Sequence, residues 1–579
     1  MRRKALMPCP SVKRPSPPRP DRARAGCKRF GQAARAAGAR ARFVSGLFVV
    51  LLALALLPPS PSEAASDYPR RPKLVVILVI DQFRYDYLVR FRQAFGAGGF
   101  NRLLTGGANF VDCRYDYATT ETGPGHATLF TGAYGNVHGI VSNTWYDRAR
   151  HQPMYCVQDP TAHIVGEPAG AVAPMGVSPR NLLGSTIGDE LRMASNFQSR
   201  VIAISLKDRA AVLPGGHTAN AAYWYDPATG HFITSSYYMK SLPTWVEQFN
   251  AAEPTKAYCG KPWESLPETP DISGRVLAPA FGGDKAPCPN PKFRSWIMGT
   301  PFMNEVELNF AEAAIENEHL GQGPATDLLA VSLSINDYIG HAFGPYSPEV
   351  ADTTVRTDRY LAALLADLDK KLGLANVWIA LSADHGVAPS PQYIMEHHLG
   401  VGLLYPQTVV DAVKQALTKA YGEAHWIEFA SGAWIYLNRA ALASRGADIA
   451  HAEALSAEAA ALVLGVQAVF TRTQFTTGTL PNSPLGRKAA HSFNSMRAGD
   501  ILLVSTPFAV PSETITRTTH GSPWNYDAQV PLILWGGPFK PGTYATPCQP
   551  IDLEPTLAAL LGLTQSSEAQ GKPLTESIR

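Results

Sequence analysis

The run Leu74–Ile80 (LVVILVI) is continuously apolar, rich in β-branched residues, and ends in Asp81. A strand that is apolar on both faces must be covered on both, the condition of a parallel sheet flanked by helices. The same pattern recurs along the chain. Residues 200–205 (RVIAIS) run into Leu206-Lys207-Asp208-Arg209, and 328–335 (LLAVSLSI) into Asn336-Asp337 and then His341. Val377–Ser382 (VWIALS) runs into Asp384-His385-Gly386. Residues 500–505 read as another such strand, followed after a loop by His520-Gly521-Ser522, and 530–535 (VPLILW) as one more. Helical patterns lie between them: Leu361, Leu364, Leu365, Leu368 and Leu372 mark one apolar face at the 3.6-residue period. Near the C-terminus, 551–561 reads as a short helix with Pro555 near its start. This alternation predicts an α/β fold with a doubly wound, mostly parallel sheet. In such sheets ligands gather beyond the carboxyl ends of the strands, where the polar residues fall here.

Two stretches break the alternation. Residues about 211–320 are rich in Pro, Gly and aromatics, and about 395–500 mix helical segments with a strand-like run at 426–437. Both read as insertions that roof the sheet edge, where substrate discrimination usually resides. Residues 66–579 otherwise form one catalytic domain. Ahead of it, residues 1–64 carry 13 Lys/Arg against Asp21 and Glu63, and run into the apolar 47–57 (LFVVLLALALL) and a small-residue stretch. Basic, apolar and small-residue regions in that order form a secretory signal at 1–65, which predicts a periplasmic or secreted protein. The apolar run is short for a membrane span, so no stable insertion is expected after cleavage; an uncleaved anchor is the alternative. Removing the leader turns the chain's +3 charge into about −8, which argues against a nucleic-acid partner. Cys113, Cys156, Cys259, Cys288 and Cys548 follow the leader without CxxC spacing, allowing up to two disulfides and no thiolate metal site.

The segment 118–143 (ATTETGPGHATLFTGAYGNVHGIVSN) places Thr122 before Gly-Pro-Gly and a helix. A hydroxyl there sits at the positive end of the helix, where unpaired N–H groups attract anions. Alone it would be a capping threonine. Its company changes the reading: Asp81, Asp337, His341, Asp384, His385 and His520 all follow predicted strands. Three carboxylates and three imidazoles suit two divalent ions, and an oxygen/nitrogen set without sulfur suits zinc.

In the order Asp81, Thr122, Asp337-x3-His341, Asp384-His385, His520, the chain resembles the bimetallic core of the alkaline phosphatase superfamily. The resemblance extends to DQFRYDYL from Asp81, TGxxxxxHGI from Thr131 to Ile140, and DLEPTLAALLG near the C-terminus. It runs from roughly Leu74 to Gly562 outside the two insertions. Within the superfamily the chain is similar to bacterial phosphate-irrepressible alkaline phosphatases with a threonine nucleophile. Their mark is an asparagine after the nucleophile's helix and a Lys-x-Arg pair, and Asn143 and Lys207/Arg209 stand at the matching places.

The resemblance implies that Asp81, Asp384 and His385 hold one zinc, to which Thr122 also binds, and that Asp337, His341 and His520 hold the second. It implies hydrolysis of a broad range of small phosphomonoesters through a phosphothreonine, with Asn143, Lys207 and Arg209 on the phosphoryl group. Lys and Arg stand near the third, magnesium site of the best-known phosphatases, so no magnesium requirement is expected. The cations favour monoesters, because a diester would turn a carbon substituent toward them. A nucleotide pyrophosphatase/phosphodiesterase and a phosphonoacetate hydrolase share the metal core and are the alternatives. A sulfatase is disfavoured, since Thr122 is neither Cys nor Ser; a binding protein that has lost catalysis is the reading from another class. His126, His138 and His217 are assigned structural roles, and the oligomeric state is not legible.

Overall fold

Ten strands form the central sheet of the computed structural model, which describes residues 71–166, 175–281 and 288–579. The signal assigned to 1–65 lies outside the described residues. From edge to edge the sheet runs Gly542–Tyr544, Gly107–Arg114, Gln529–Trp535, Val377–Ser382, Leu74–Ile80, Asp327–Leu333, Val201–Ser205, Ala221–Asp226, His231–Ser235 and Ile164–Val165. Leu74–Ile80 pairs in parallel on both sides, Val76 lying opposite Leu329 and Ile379, and all its residues are buried. This register sets Ile80 beside Leu333 and Val79 beside Ser382, so the polar residues that follow three separate strands meet at one rim. The helix Pro348–Leu372 buries the predicted leucine face, Leu361, Leu364, Leu365, Leu368 and Leu372, and starts at a Ser347 cap that accepts from the Val350 N–H.

Three expectations are corrected. Gln529–Trp535 joins the sheet but antiparallel to both neighbours. The chain comes to it from His520 at the rim through the short helix Asn525–Ala528, so it enters from the carboxyl end and must run the other way. Residues 500–505 supply Ile501–Ser505, which lies outside the central sheet, in a four-stranded antiparallel sheet with Ile427–Ser431, Trp434–Leu437 and Val466–Thr471. An apolar run shows that a strand is buried, not which sheet buries it. Residues about 211–320 are not all insertion either: Ala221–Asp226 and His231–Ser235 extend the central sheet, and the helix Phe302–Asn317 packs against its Asp327–Leu333 and Val201–Ser205 strands. The irregular remainder is tied by a Cys259–Cys288 disulfide, while Cys113, Cys156 and Cys548 are free and buried.

The second stretch forms a cap that reaches beyond 500. Its small sheet, the helices Pro406–Tyr421 and Ile449–Ala461, and a parallel pair of Gly402–Leu404 with Ala509–Pro511 enclose an apolar core of their own around Val409, Val413, Leu417 and Trp426.

Behind the rim, the helix Leu553–Leu561 packs on the helix Thr122–Thr131. Its Glu554 is fully buried: one carboxylate oxygen accepts from Ser566 N–H and Oγ, both at 2.9 Å, and the other has no partner. Burial pushes this carboxyl from 4.5 up to about 7. A folded-state pKa above the unfolded one means that the cost of ionising Glu554 is absent below about pH 4.5 and grows as pH rises through about 7. Glu554→Gln is therefore expected to raise Tm at pH 9 by the equivalent of up to about 3 kcal/mol and to leave it unchanged at pH 4. Equal Tm shifts at the two pH values would show that Glu554 is not the titrating group.

Candidate active site

Thr122 is the first residue of the wholly buried helix Thr122–Thr131. Glu121 holds the N-cap position but does not cap; its carboxylate accepts from the Asn143 N–H at 2.7 Å and from Ser142 Oγ at 2.9 Å. The Thr122 hydroxyl therefore faces outward, with Oγ1 3.5 Å from His385 Nε2 and 3.4 Å from Arg209 Nη2. Gly125 allows the helix to sit against the metal-type ligands, since a Cβ there would fall 2.2 Å from the Asp384 carbonyl oxygen.

All six predicted ligands reach this rim. Two groups each have their ligand atoms within 4.8 Å of one another: Asp337, His341 and His520, and Asp81, Asp337 and His385. The first is the set expected for one ion. The second contains Asp81 and His385 but takes in Asp337 and omits Asp384, whose Oδ2 nevertheless lies 3.4 Å from His385 Nε2. Lys207 lies between the two carboxylates: its ammonium donates to Asp81 Oδ2 and Asp337 Oδ2, both at 2.6 Å.

The donor set fits divalent cations. Asp81 Oδ1 and Asp384 Oδ2 are buried without a hydrogen-bond partner, a costly state that a cation relieves. Each histidine is anchored through Nδ1 to a backbone carbonyl (His341 to Thr518 and His520 to Thr120 at 2.7 Å, His385 to Gly386 at 2.9 Å), which turns Nε2 toward the site. Burial, followed for His520 by the neighbouring imidazoles, lowers the pKa of His385 and His520 and keeps their Nε2 lone pairs available. Burial raises Asp81, with Asp384 adding to the shift. For Asp337 burial acts the same way, but the Lys207 and His341 charges outweigh it and hold the carboxyl well below its ordinary range.

The three predicted phosphoryl ligands lie at the same place. Arg209 is held by Tyr155, whose hydroxyl accepts from Nη1 at 3.3 Å and donates to Asp208 Oδ1 at 2.5 Å, leaving Nη2 toward Thr122. Asn143 Oδ1 accepts from the Gly123 N–H at 2.7 Å, and the side chain lines the cavity over Thr122 together with Arg209. Lys207 is no solvated surface cation; it is buried between two ligand carboxylates.

Gln82 supports the site without having been singled out in the sequence, and His126 takes the structural role expected of it. Gln82, at φ 65°, donates its N–H to Asp384 Oδ1 at 3.1 Å and its Nε2 to Asp337 Oδ1 at 2.7 Å, tying one carboxylate of each expected set. His126 bonds the Thr122 carbonyl through Nδ1 at 2.9 Å and Ser332 Oγ through Nε2 at 2.7 Å. Its i, i+4 spacing from Thr122 was a usable signal; the left-handed backbone at Gln82 left none.

A parallel-sheet rim with a helix-terminal threonine and clustered Asp/His ligands defines an enzyme of the alkaline phosphatase superfamily. Within it, the chain belongs to the type I phosphodiesterase / nucleotide pyrophosphatase family, which it matches over residues 75–523. It is 36% identical to the alkaline phosphatase PafA of Elizabethkingia meningoseptica, over 88% of this chain and 95% of that protein. It is 37% identical to the alkaline phosphatase PhoV of Synechococcus elongatus, over 88% and 93% respectively. The crystal structure of wild type PafA superposes with a TM-score of 0.81 at 35% identity, covering 88% of this chain and 99% of that one.

Proposed function

We propose that this enzyme hydrolyses small phosphate monoesters through a phosphothreonine at Thr122, with two zinc ions and no magnesium requirement. The observation that carries the reading is the Thr122 hydroxyl, held between the Arg209 guanidinium and the convergent Asp/His ligands. Asp81, Asp384 and His385 would hold one zinc beside Thr122, and Asp337, His341 and His520 the other. When bound, the pair would supply Lewis acidity to the nucleophile and to the leaving oxygen of an in-line displacement. Thr122 Oγ forms the bond to phosphorus as the ester P–O bond breaks, and water then cleaves the phosphothreonine to release phosphate. Arg209 and the Asn143 amide bind the phosphoryl oxygens, and Lys207 balances the carboxylates behind them.

Membership of a family that also contains phosphodiesterases keeps a diester reading as the alternative, and the Arg209 guanidinium beside Thr122 weighs against it. Acid quenching during turnover of an aryl phosphate, followed by peptide mapping, is expected to find phosphate on Thr122. Phosphate on another residue, or steady turnover with none trapped under burst conditions, would remove Thr122 from the nucleophile's role.

A further inference from the structure

The cavity over Thr122 is much larger than a phosphoryl group requires, about 530 Å³, which is within the range of sites that enclose a whole organic ligand. Its two sides differ in chemistry. The floor holds Thr122, Arg209, Asp337, His341 and His520; the facing wall comes from the cap and includes Leu404, Val409, Val410, Leu503, Val510 and Pro511. Among the described residues, no Lys, Arg, Asp or Glu of the cap lines the cavity; the charged lining residues Glu121, Arg209, Asp337 and Asp527 belong to the sheet side. Glu121 is already engaged by Ser142 and Asn143, and Asp527 through Oδ2 by Ser522, with its Oδ1 buried and without a hydrogen-bond partner. A second phosphate group would thus find no cationic side chain on the wall it must face, which is mostly apolar and includes the Ser431 and Ser505 hydroxyls.

The wall rests on ordered elements of the cap. Leu404 and Val510 stand on the paired strands Gly402–Leu404 and Ala509–Pro511, backed by the cap's own core. The cap hairpin turns at Gly432, φ 55°, against the nucleophile's neighbour: a Cβ there would come within 2.5 Å of Glu121 Oε1. This contact keys the cap to the residue preceding Thr122.

We infer that the chamber is a leaving-group subsite for apolar alcohols and phenols, so that alkyl and aryl phosphates are favoured over sugar phosphates and nucleotides. The inference rests on the monoesterase reading above. Its test is kcat/KM of the full-length, zinc-loaded protein on n-alkyl phosphates from ethyl to hexyl, with glycerol phosphate for comparison. Each added methylene is expected to raise kcat/KM about threefold, and glycerol phosphate to fall below propyl phosphate. In Val410→Asn and, separately, Leu503→Asn, the hexyl-to-ethyl ratio should drop at least fivefold; as an internal ratio it is independent of how much protein is active. A flat series with measurable ethyl phosphate turnover would overturn the subsite and leave the monoesterase standing. Absence of turnover on every monoester would overturn both.

Discussion

Thr122→Ala is expected to lower kcat/KM for an aryl phosphate on the order of 10⁴-fold or more, while the protein retains its fold and the zinc proposed for it. The size follows from the residue's role: without Oγ1 there is no atom to form the bond to phosphorus, and only binding and charge stabilisation remain. The fold should survive because the hydroxyl makes only long contacts, 3.5 Å to His385 and 3.4 Å to Arg209, and alanine is well tolerated in the first helical turn. Zinc content by elemental analysis separates this outcome from collapse of the site. Six protein ligands remain in the variant, so two equivalents of metal should still be bound. Thr122→Ser keeps the hydroxyl and loses only a methyl group, and it should stay within about tenfold of the parent. Turnover by Thr122→Ala at the parental rate would mean that water attacks the substrate directly.

The strand-end residues that converge at the rim were legible because a parallel sheet leaves a clear trace: runs apolar on both faces, each ending where side chains must turn polar. Asp81, Asp337 and Asp384 stood out against such runs, and the in-register pairing of Leu74–Ile80 with both neighbours is what brings them together. Lys207 and Arg209 were found in the same way, at the end of Val201–Ser205. Direction and sheet membership were not legible. Residues 530–534 are all buried, as in the parallel strands of the sheet, and the reversal of Gln529–Trp535 depends on where the preceding loop leaves the cap. Ile501–Ser505 satisfies the same composition rule inside a different sheet. Gln82 was hidden for another reason: nothing in its identity announces φ 65°, yet that backbone turn lets one residue reach Asp384 through its N–H and Asp337 through its side chain. Interactions that depend on a single dihedral or on a strand's entry point leave no periodic signal.

Arg209→Ala is expected to cost phosphomonoesters on the order of 10²- to 10³-fold in kcat/KM, and a methyl diester with the same aryl leaving group less than about tenfold. The proposed role of the guanidinium predicts this discrimination. Tyr155 receives one of its N–H groups and passes a hydrogen bond on to Asp208, so the fork is oriented before substrate arrives and loses little freedom on binding. Its other arm lies 3.4 Å from the nucleophilic oxygen, where the non-bridging oxygens of a transferring phosphoryl group must pass. In a monoester those oxygens carry up to two charges, and the fork meets them with charge-assisted hydrogen bonds. In a diester one oxygen bears carbon and the group carries a single charge, so much of that interaction is already absent. Lys207 does not duplicate the role, since its ammonium is committed to Asp81 and Asp337 and compensates ligand charge. Tyr155→Phe should show a weaker form of the same selectivity, lowering monoester turnover more than diester turnover because Arg209 loses its orienting partner but not its charge. Equal losses on the two esters would assign Arg209 to general stabilisation of the site, and monoester preference would then have to reside in Asn143 and the metal ligands.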